Sequence, residues 1–151
     1  MTTSNNLTGK SARFTSPIQE LRFNLMQSCS LMINNTRQFL QPYGITPKQY
    51  TILRNLALRS PDSQSIQDVR DNLADKMSDA SRLIDRLEKK GYIEKFPSDF
   101  DRRSNRVRIS DQGIKLLDQI SKHLDNLDRF VKERLDDREI SSLNELLGRL
   151  K

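Results

Sequence analysis

Tryptophan is absent from this sequence, cysteine and histidine occur once each, and glycine occurs five times in 151 residues. The single cysteine, Cys29, excludes an internal disulfide, which agrees with a reducing compartment. His123, the sole histidine, lies with Lys122 and Asp125 on a solvated helix side, so no Ser/His/Asp arrangement is assembled around it, and no HExxH motif exists; CxxC pairs are absent too. Five glycines supply no phosphate-cradling loop. No catalytic residue, metal ligand or cofactor is therefore assigned, and cofactor-binding residues stay unknown. The nearest two-acid spacing, Asp99 with Asp101, reads as turn chemistry. No apolar run approaches the ~18 residues needed to cross a bilayer, and the N-terminus has no signal-like apolar region. A cytoplasmic protein with no membrane partner is expected. Repeats at solenoid periods are also missing.

Acidic residues are scarce in the first 60 positions, where Glu20 stands alone against Lys10, Arg13, Arg22, Arg37, Lys48, Arg54 and Arg59. That segment carries all of the net charge of +6. Residues 100–110 add a local basic patch, with Arg102, Arg103, Arg106 and Arg108 against Asp101. Focused positive charge suits a polyanion, nucleic acid before an anionic membrane surface. Only 34% of residues are hydrophobic and 30% are charged, so the core is moderate and much helix surface is solvated or apposed to a partner.

Along the chain, residues 1–15 are polar and poor in anything to bury, and are expected to form a flexible arm. Ser16 as N-cap and Pro17 at the first helical position open a helix to about Leu40, with Ile18, Leu21, Leu25, Cys29, Met32, Thr36 and Phe39 on one face. Pro42 and Gly44 stop it. Thr46, Pro47 and Gln49 form a capping-box start for a second helix to about Arg59, burying Tyr50, Leu53, Leu56 and Ala57. The loop 60–64 has room for one very short strand. Ser65 and Asp68 repeat the start signal for a third helix with Ile66, Val69 and Leu73 inward, and a tight link over 74–77 follows.

Residues 77–110, MSDASRLIDRLEKKGYIEKFPSDFDRRSNRVRIS, organise the rest. Ala80, Leu83, Ile84 and Leu87 make a narrow apolar stripe, and Gly91 stands where a helix end wants a left-handed residue, so a helix over about 78–90 is predicted. Opposite the stripe lie Ser78, Arg82, Asp85 and Lys89, with Ser81 and Arg86 on the flanks. Hydroxyls and guanidiniums suit base edges in a major groove, whereas a solvated helix face is the plainer account. Alternation over 92–96 and 106–109 predicts two strands, each with one buried face. The hairpin loop over 97–105 places Asp101, Arg102 and Arg103 at its tip, where a narrow minor groove is a fitting partner and Asp101 can orient a guanidinium. Two short helices joined by a few residues, the second bearing outward Ser and Arg, meet the requirement of a helix-turn-helix.

At the level of the runs ASRLIDRLEKKGYIEK, DFDRRSNRVRIS and SDQG, the sequence resembles the MarR-type winged helix-turn-helix transcriptional regulators over about residues 45–117. The resemblance implies a major-groove helix at 78–90 and a minor-groove arginine at Arg103, beside an acid at Asp101. It also implies a homodimer and a small-molecule effector of unidentified chemistry, bound between the dimer helices and the DNA-binding lobe. Asp79 departs from the pattern, as an acid at the edge of the reading face. It either complements the helix macrodipole or accepts from a cytosine amino group. Some relatives sense oxidants through a cysteine nearer the start of the first helix. That place falls near Arg22 here, and Cys29, on a stripe expected to be buried where a thiol reacts slowly, is read as structural. Met26, Met32, Phe39 and Tyr50 are read as plain core before pocket lining, and no effector residue is assigned.

Ser110 opens a long helix in which Leu117, Ile120, Leu124, Leu127, Val131 and Leu135 alternate spacings of three and four, a coiled-coil-like seam predicted to run about 25 residues to Leu135. His123 is placed on its solvated side. A last helix from about Asp137 adds Ile140, Leu143, Leu147 and Leu150. The expected fold is mostly α with a small β wing. A DNA-binding domain at 45–110 joins a helical dimerisation region at 16–41 and 111–151. The expected function is a dimeric regulator of double-stranded DNA, releasing a pseudo-palindromic operator on a signal. DNA contacts are assigned to Ser78, Ser81, Arg82, Arg86, Arg102 and Arg103, with Asp101 supporting the wing. The alternative is a winged-helix module that docks acidic protein without reading DNA sequence.

Overall fold

The computed structural model of the chain describes residues 14–73, 79–98 and 105–150, and divides into two units, Met1–Asn35 and Thr36–Lys151. In chain order the described elements are α1 (Pro17–Leu40), a 3-10 turn (Gln41–Tyr43), α2 (Pro47–Leu58), β1 (Gln64–Ser65), α3 (Ile66–Asp71), α4 (Ala80–Lys89), β2 (Ile93–Pro97), β3 (Asn105–Ile109), α5 (Asp111–Ser121), α6 (Leu124–Lys132) and α7 (Asp137–Gly148).

The first unit holds most of α1. Ser16 caps it as expected, its Oγ accepting from the Gln19 amide at 3.3 Å. Phe14 packs on Phe23 with ring centroids 5.3 Å apart. Beyond that contact much of the predicted stripe is open, with Ile18, Leu21 and Met32 exposed, and Met26, Leu31 and Ile33 outside the stripe are exposed too. Cys29 is exposed as well, which corrects its assignment to a buried stripe. Helical periodicity identifies a face and is silent on what covers it. Of the 24 residues of α1, Leu40 is the buried one.

In the second unit the predicted start signals are all present. Thr46 and Gln49 form a reciprocal capping box on α2, as Ser65 and Asp68 do on α3. Ser110 Oγ accepts from the Gly113 amide at the head of α5. Gly44 and Gly91 have φ of 68° and 75°, the left-handed conformation for which each was read as a helix stop. The core gathers Leu40, Ile52, Leu53, Leu56, Ile84, Leu87, Val107 and Ile120, so α2 and α4 close on one face of the sheet with α5 beside them. Ile52 and Leu116, both buried, lie outside the stripes predicted for their helices.

The sheet is antiparallel throughout, ordered β1-β3-β2, with Ile93 opposite Ile109, Lys95 opposite Val107 and Ser65 opposite Arg106. The short strand expected near residue 64 is therefore β1, and the two wing strands begin one residue from their predicted positions.

The single long helix predicted after Ser110 is replaced by α5 and α6. Ser121 Oγ donates back to the Asp118 carbonyl at 2.7 Å, and His123 leaves helical geometry with φ −120° and ψ 10°. A hydroxyl that bonds the preceding turn bends a helix, and Ser and His are weak helix formers, so the rod breaks there. Ile120 is fully buried and Leu124 packs against the core, so the seam covers the chain's own interior at the break. His123 is exposed, as expected.

Candidate nucleic-acid interface

The outward face of α4 is set by what its inward face buries. Ala80, Ile84 and Leu87 are buried and Leu83 is half-buried against the core. At about 100° per residue this turns Arg82, Asp85, Arg86 and Lys89 to solvent, and all four are exposed. Ser81 is half-buried on the flank. The helix begins at Ala80, two residues later than predicted, with Asp79 at the N-cap making no side-chain capping bond. Ser78 lies outside the described residues. At the other end the Gly91 amide donates to Glu88 O at 2.8 Å and the Tyr92 amide to Leu87 O at 3.0 Å, and Lys90 Nζ donates to the Gly44 carbonyl.

Electrostatics divide this face. Lys95 reaches from β2 to Asp85 at 2.9 Å, neutralising that acid, while Glu88 is exposed on the flank of the same helix. Arg108 pairs with Glu94 at 2.7 Å and stacks over Phe96 with its guanidinium 5.4 Å from the ring centroid. Among the described residues Arg82, Arg86 and Lys89 make no ion pair, leaving three adjacent cations on one rigid helix. Exposed pairs such as Asp85 with Lys95 contribute ~1 kcal/mol or less to stability, so their main effect is on local charge. The wing assignments Asp101, Arg102 and Arg103 lie outside the described residues. β2 and β3 hold the two ends of that segment in register, with Pro97 opposite Asn105.

Sequence reasoning missed the polar ties between the wing strands and the helix-turn-helix. Gln64 is buried, donating through Nε2 to Asn55 O at 3.2 Å and accepting from Asn72 Nδ2 at 3.4 Å. Arg106 Nε donates to Ser63 Oγ at 2.7 Å. A polar residue inside a two-residue strand and a basic one in a basic stretch give no periodic signal that separates them from surface. Asp68 is held below the ordinary carboxylate value, first by the Ser65 side chain, then by the Ser65 amide, with the charges of Arg106 and Arg59 adding. Phe39 and Tyr50 pack against the core, as read from sequence, while Met26 and Met32 are exposed, which corrects their reading as core. Among the described residues no helix is long and apolar enough to cross a membrane.

A short capped helix, a second helix with outward cations and a two-stranded wing at its C-terminal end define a winged helix-turn-helix domain. A model of the MarR family matches residues 43–104. The regulator BilQ of Clostridioides difficile is 30% identical over 104 residues, covering 69% of this chain and 69% of BilQ. The regulator PapX of Escherichia coli is 28% identical over 101 residues, covering 64% of this chain and 62% of PapX, less than two thirds of that relative. Among solved structures, a mutant MarR from E. coli complexed with operator DNA superposes with a TM-score of 0.80 at 21% identity, covering 88% of this chain and 94% of that one. The chain belongs to the MarR family of transcriptional regulators.

Proposed function

We propose that this protein is a cytoplasmic transcriptional repressor, without enzymatic activity, that binds a pseudo-palindromic operator as a homodimer and releases it on a small-molecule signal. The carrying observation is the row of Arg82, Arg86 and Lys89, exposed and without an ion pair to any described residue, on a helix whose other side is locked into the core. The MarR structure with operator DNA supports the same use of this fold. In this reading residues 45–110 bind DNA and the helices at 16–41 and 111–151 dimerise. Ser78, Ser81, Arg82 and Arg86 face the major groove, and Arg102 and Arg103, supported by Asp101, the minor groove.

Gel shifts on DNA upstream of the protein's own gene, with salt varied, test it. Arg82→Ala should lose about 1–3 kcal/mol on the operator and far less on random duplex, because a forked guanine contact carries sequence information. Arg103→Ala should weaken binding evenly across sequences and flatten the salt dependence. If both substitutions leave operator affinity intact while binding to an acidic protein is lost, the chain is a protein-docking module.

A further inference from the structure

By charge and position Arg106 belongs with the basic residues of the wing, yet its geometry sets it apart. The side chain is part-buried, Nε donates to Ser63 Oγ at 2.7 Å, and Nη2 donates to the Ser63 carbonyl. Ser63 immediately precedes β1, whose two residues pair with Val107 and Arg106 on β3. The next residue, Gln64, is 4% exposed and bonds to Asn55 O in α2 and to Asn72 at the end of α3. Polar contacts therefore run without interruption from the wing strand, through β1, to both helices behind α4. A two-residue strand supplies few ladder bonds, so pairing alone would hold β3 weakly to the helices. A guanidinium fork adds two directional bonds at that junction, which the point charge of a lysine cannot reproduce. With Nε and Nη2 engaged on Ser63, one of the two bidentate edges of the guanidinium is already occupied, on a side chain that is itself part-buried.

We infer that Arg106 is a positioning residue for DNA binding and not a phosphate contact: it fixes the wing against the helix-turn-helix, so that wing and α4 meet the duplex in one relative orientation. The inference rests on the DNA-binding reading above and adds to it a residue that acts through Ser63. Its charge also adds, after the Ser65 hydrogen bonds, to what holds the Asp68 carboxyl of the α3 capping box below its ordinary value.

The test uses the full chain and a duplex that the parent selects from a random-sequence pool. Affinity over a series of salt concentrations and hydroxyl-radical footprints are read for Ser63→Ala, Arg106→Ala, Arg106→Lys and the Ser63→Ala/Arg106→Ala double variant. Arg106→Ala should lose about tenfold in affinity and Arg106→Lys nearly as much, with roughly threefold for Ser63→Ala, as expected for one or two hydrogen bonds. The double variant should be no weaker than Arg106→Ala, because both changes remove one interaction. The salt slope should stay at the parent's value, and footprints should lose minor-groove protection while keeping the major-groove patches. Additive losses, full affinity in Arg106→Lys, or a salt slope lower by about one phosphate contact would make Arg106 a direct contact and overturn the inference. Equal loss of both protections in Arg106→Ala, with Ser63→Ala like the parent, would reduce its role to general stability and overturn it as well. A parent that selects no duplex removes the DNA reading and the inference together, which is distinct from a parent that binds and shows additive variants.

Discussion

Gly113 and Gly148 both lie in helices, and the space around them sets opposite expectations for alanine. A Cβ on Gly113 would stand 2.2 Å from the Tyr92 carbonyl oxygen and 2.7 Å from Ile109 Cγ1, whereas one on Gly148 would meet nothing within 4 Å. Helix propensity alone favours Ala over Gly by about 1 kcal/mol. At Gly148 nothing opposes that gain. At Gly113 the obstacle is backbone, which cannot swing aside, and overpacking of that kind costs about 1–3 kcal/mol. Urea denaturation should therefore give a Gly148→Ala midpoint at or above the parent's and a Gly113→Ala midpoint clearly below it; equal midpoints would mean that α5 can shift away from Tyr92 and β3. Asp68 gives the pH counterpart. Because its folded-state value is lowered below the ordinary 3.8, the unfolded chain takes up the proton more readily, and stability is lost as pH falls through the folded value. Asp68→Asn should melt below the parent near neutral pH, with the gap closing towards the acid end. A gap that persists unchanged in acid would assign the difference to lost side-chain geometry and not to charge.

Among the elements, the short ones were more legible than the long ones. Capping boxes at Thr46 and Ser65, and glycines at 44 and 91, fix helix ends through local bonds that the sequence names directly, and each stands where it was read. Strand alternation placed Val107 and Ile109 inward correctly. The long helix after Ser110 failed because a seam of threes and fours records which side is apolar and carries no information on continuity; the break is encoded in Ser121 and His123, whose effect depends on the turn they bond to. The candidate site divides in the same way. Arg82 and Arg86 follow from the position of the stripe alone, but the Asp85 to Lys95 pair depends on how α4 packs on β2, and the Arg106 to Ser63 fork on the register of β1 with β3. Ser78, Asp101, Arg102 and Arg103 fall outside the described residues and stay assigned by sequence.

For the whole molecule the distribution of apolar surface is what asks for a partner. In the first unit α1 exposes Ile18, Leu21, Met26, Leu31 and Ile33, and separately α7 exposes Leu143 and Leu146. Single exposed apolar residues are ordinary, but a helix that leaves this many uncovered is the surface a second copy would cover. A symmetric dimer would also present two α4 helices to successive major grooves, with half-sites centred about 34–36 Å apart along the duplex. The proposed homodimer should then scatter light at twice 17.6 kDa at micromolar concentration. Leu31 is the informative position to change. It is 56% exposed in the single chain, so a carboxylate there costs the isolated fold little, whereas the same carboxylate buried and unpaired at an interface is costly. Leu124 would be a poorer choice, because it packs against the chain's own core and its loss would confound folding with assembly. Leu31→Asp should move the scattering mass to 17.6 kDa with an unchanged far-UV spectrum, and should weaken operator binding because two tethered half-site contacts become one. A parent that is monomeric at micromolar concentration, or a Leu31→Asp variant that stays dimeric, would remove residues 17–35 from the dimerisation region and leave the apolar face of α1 to another partner.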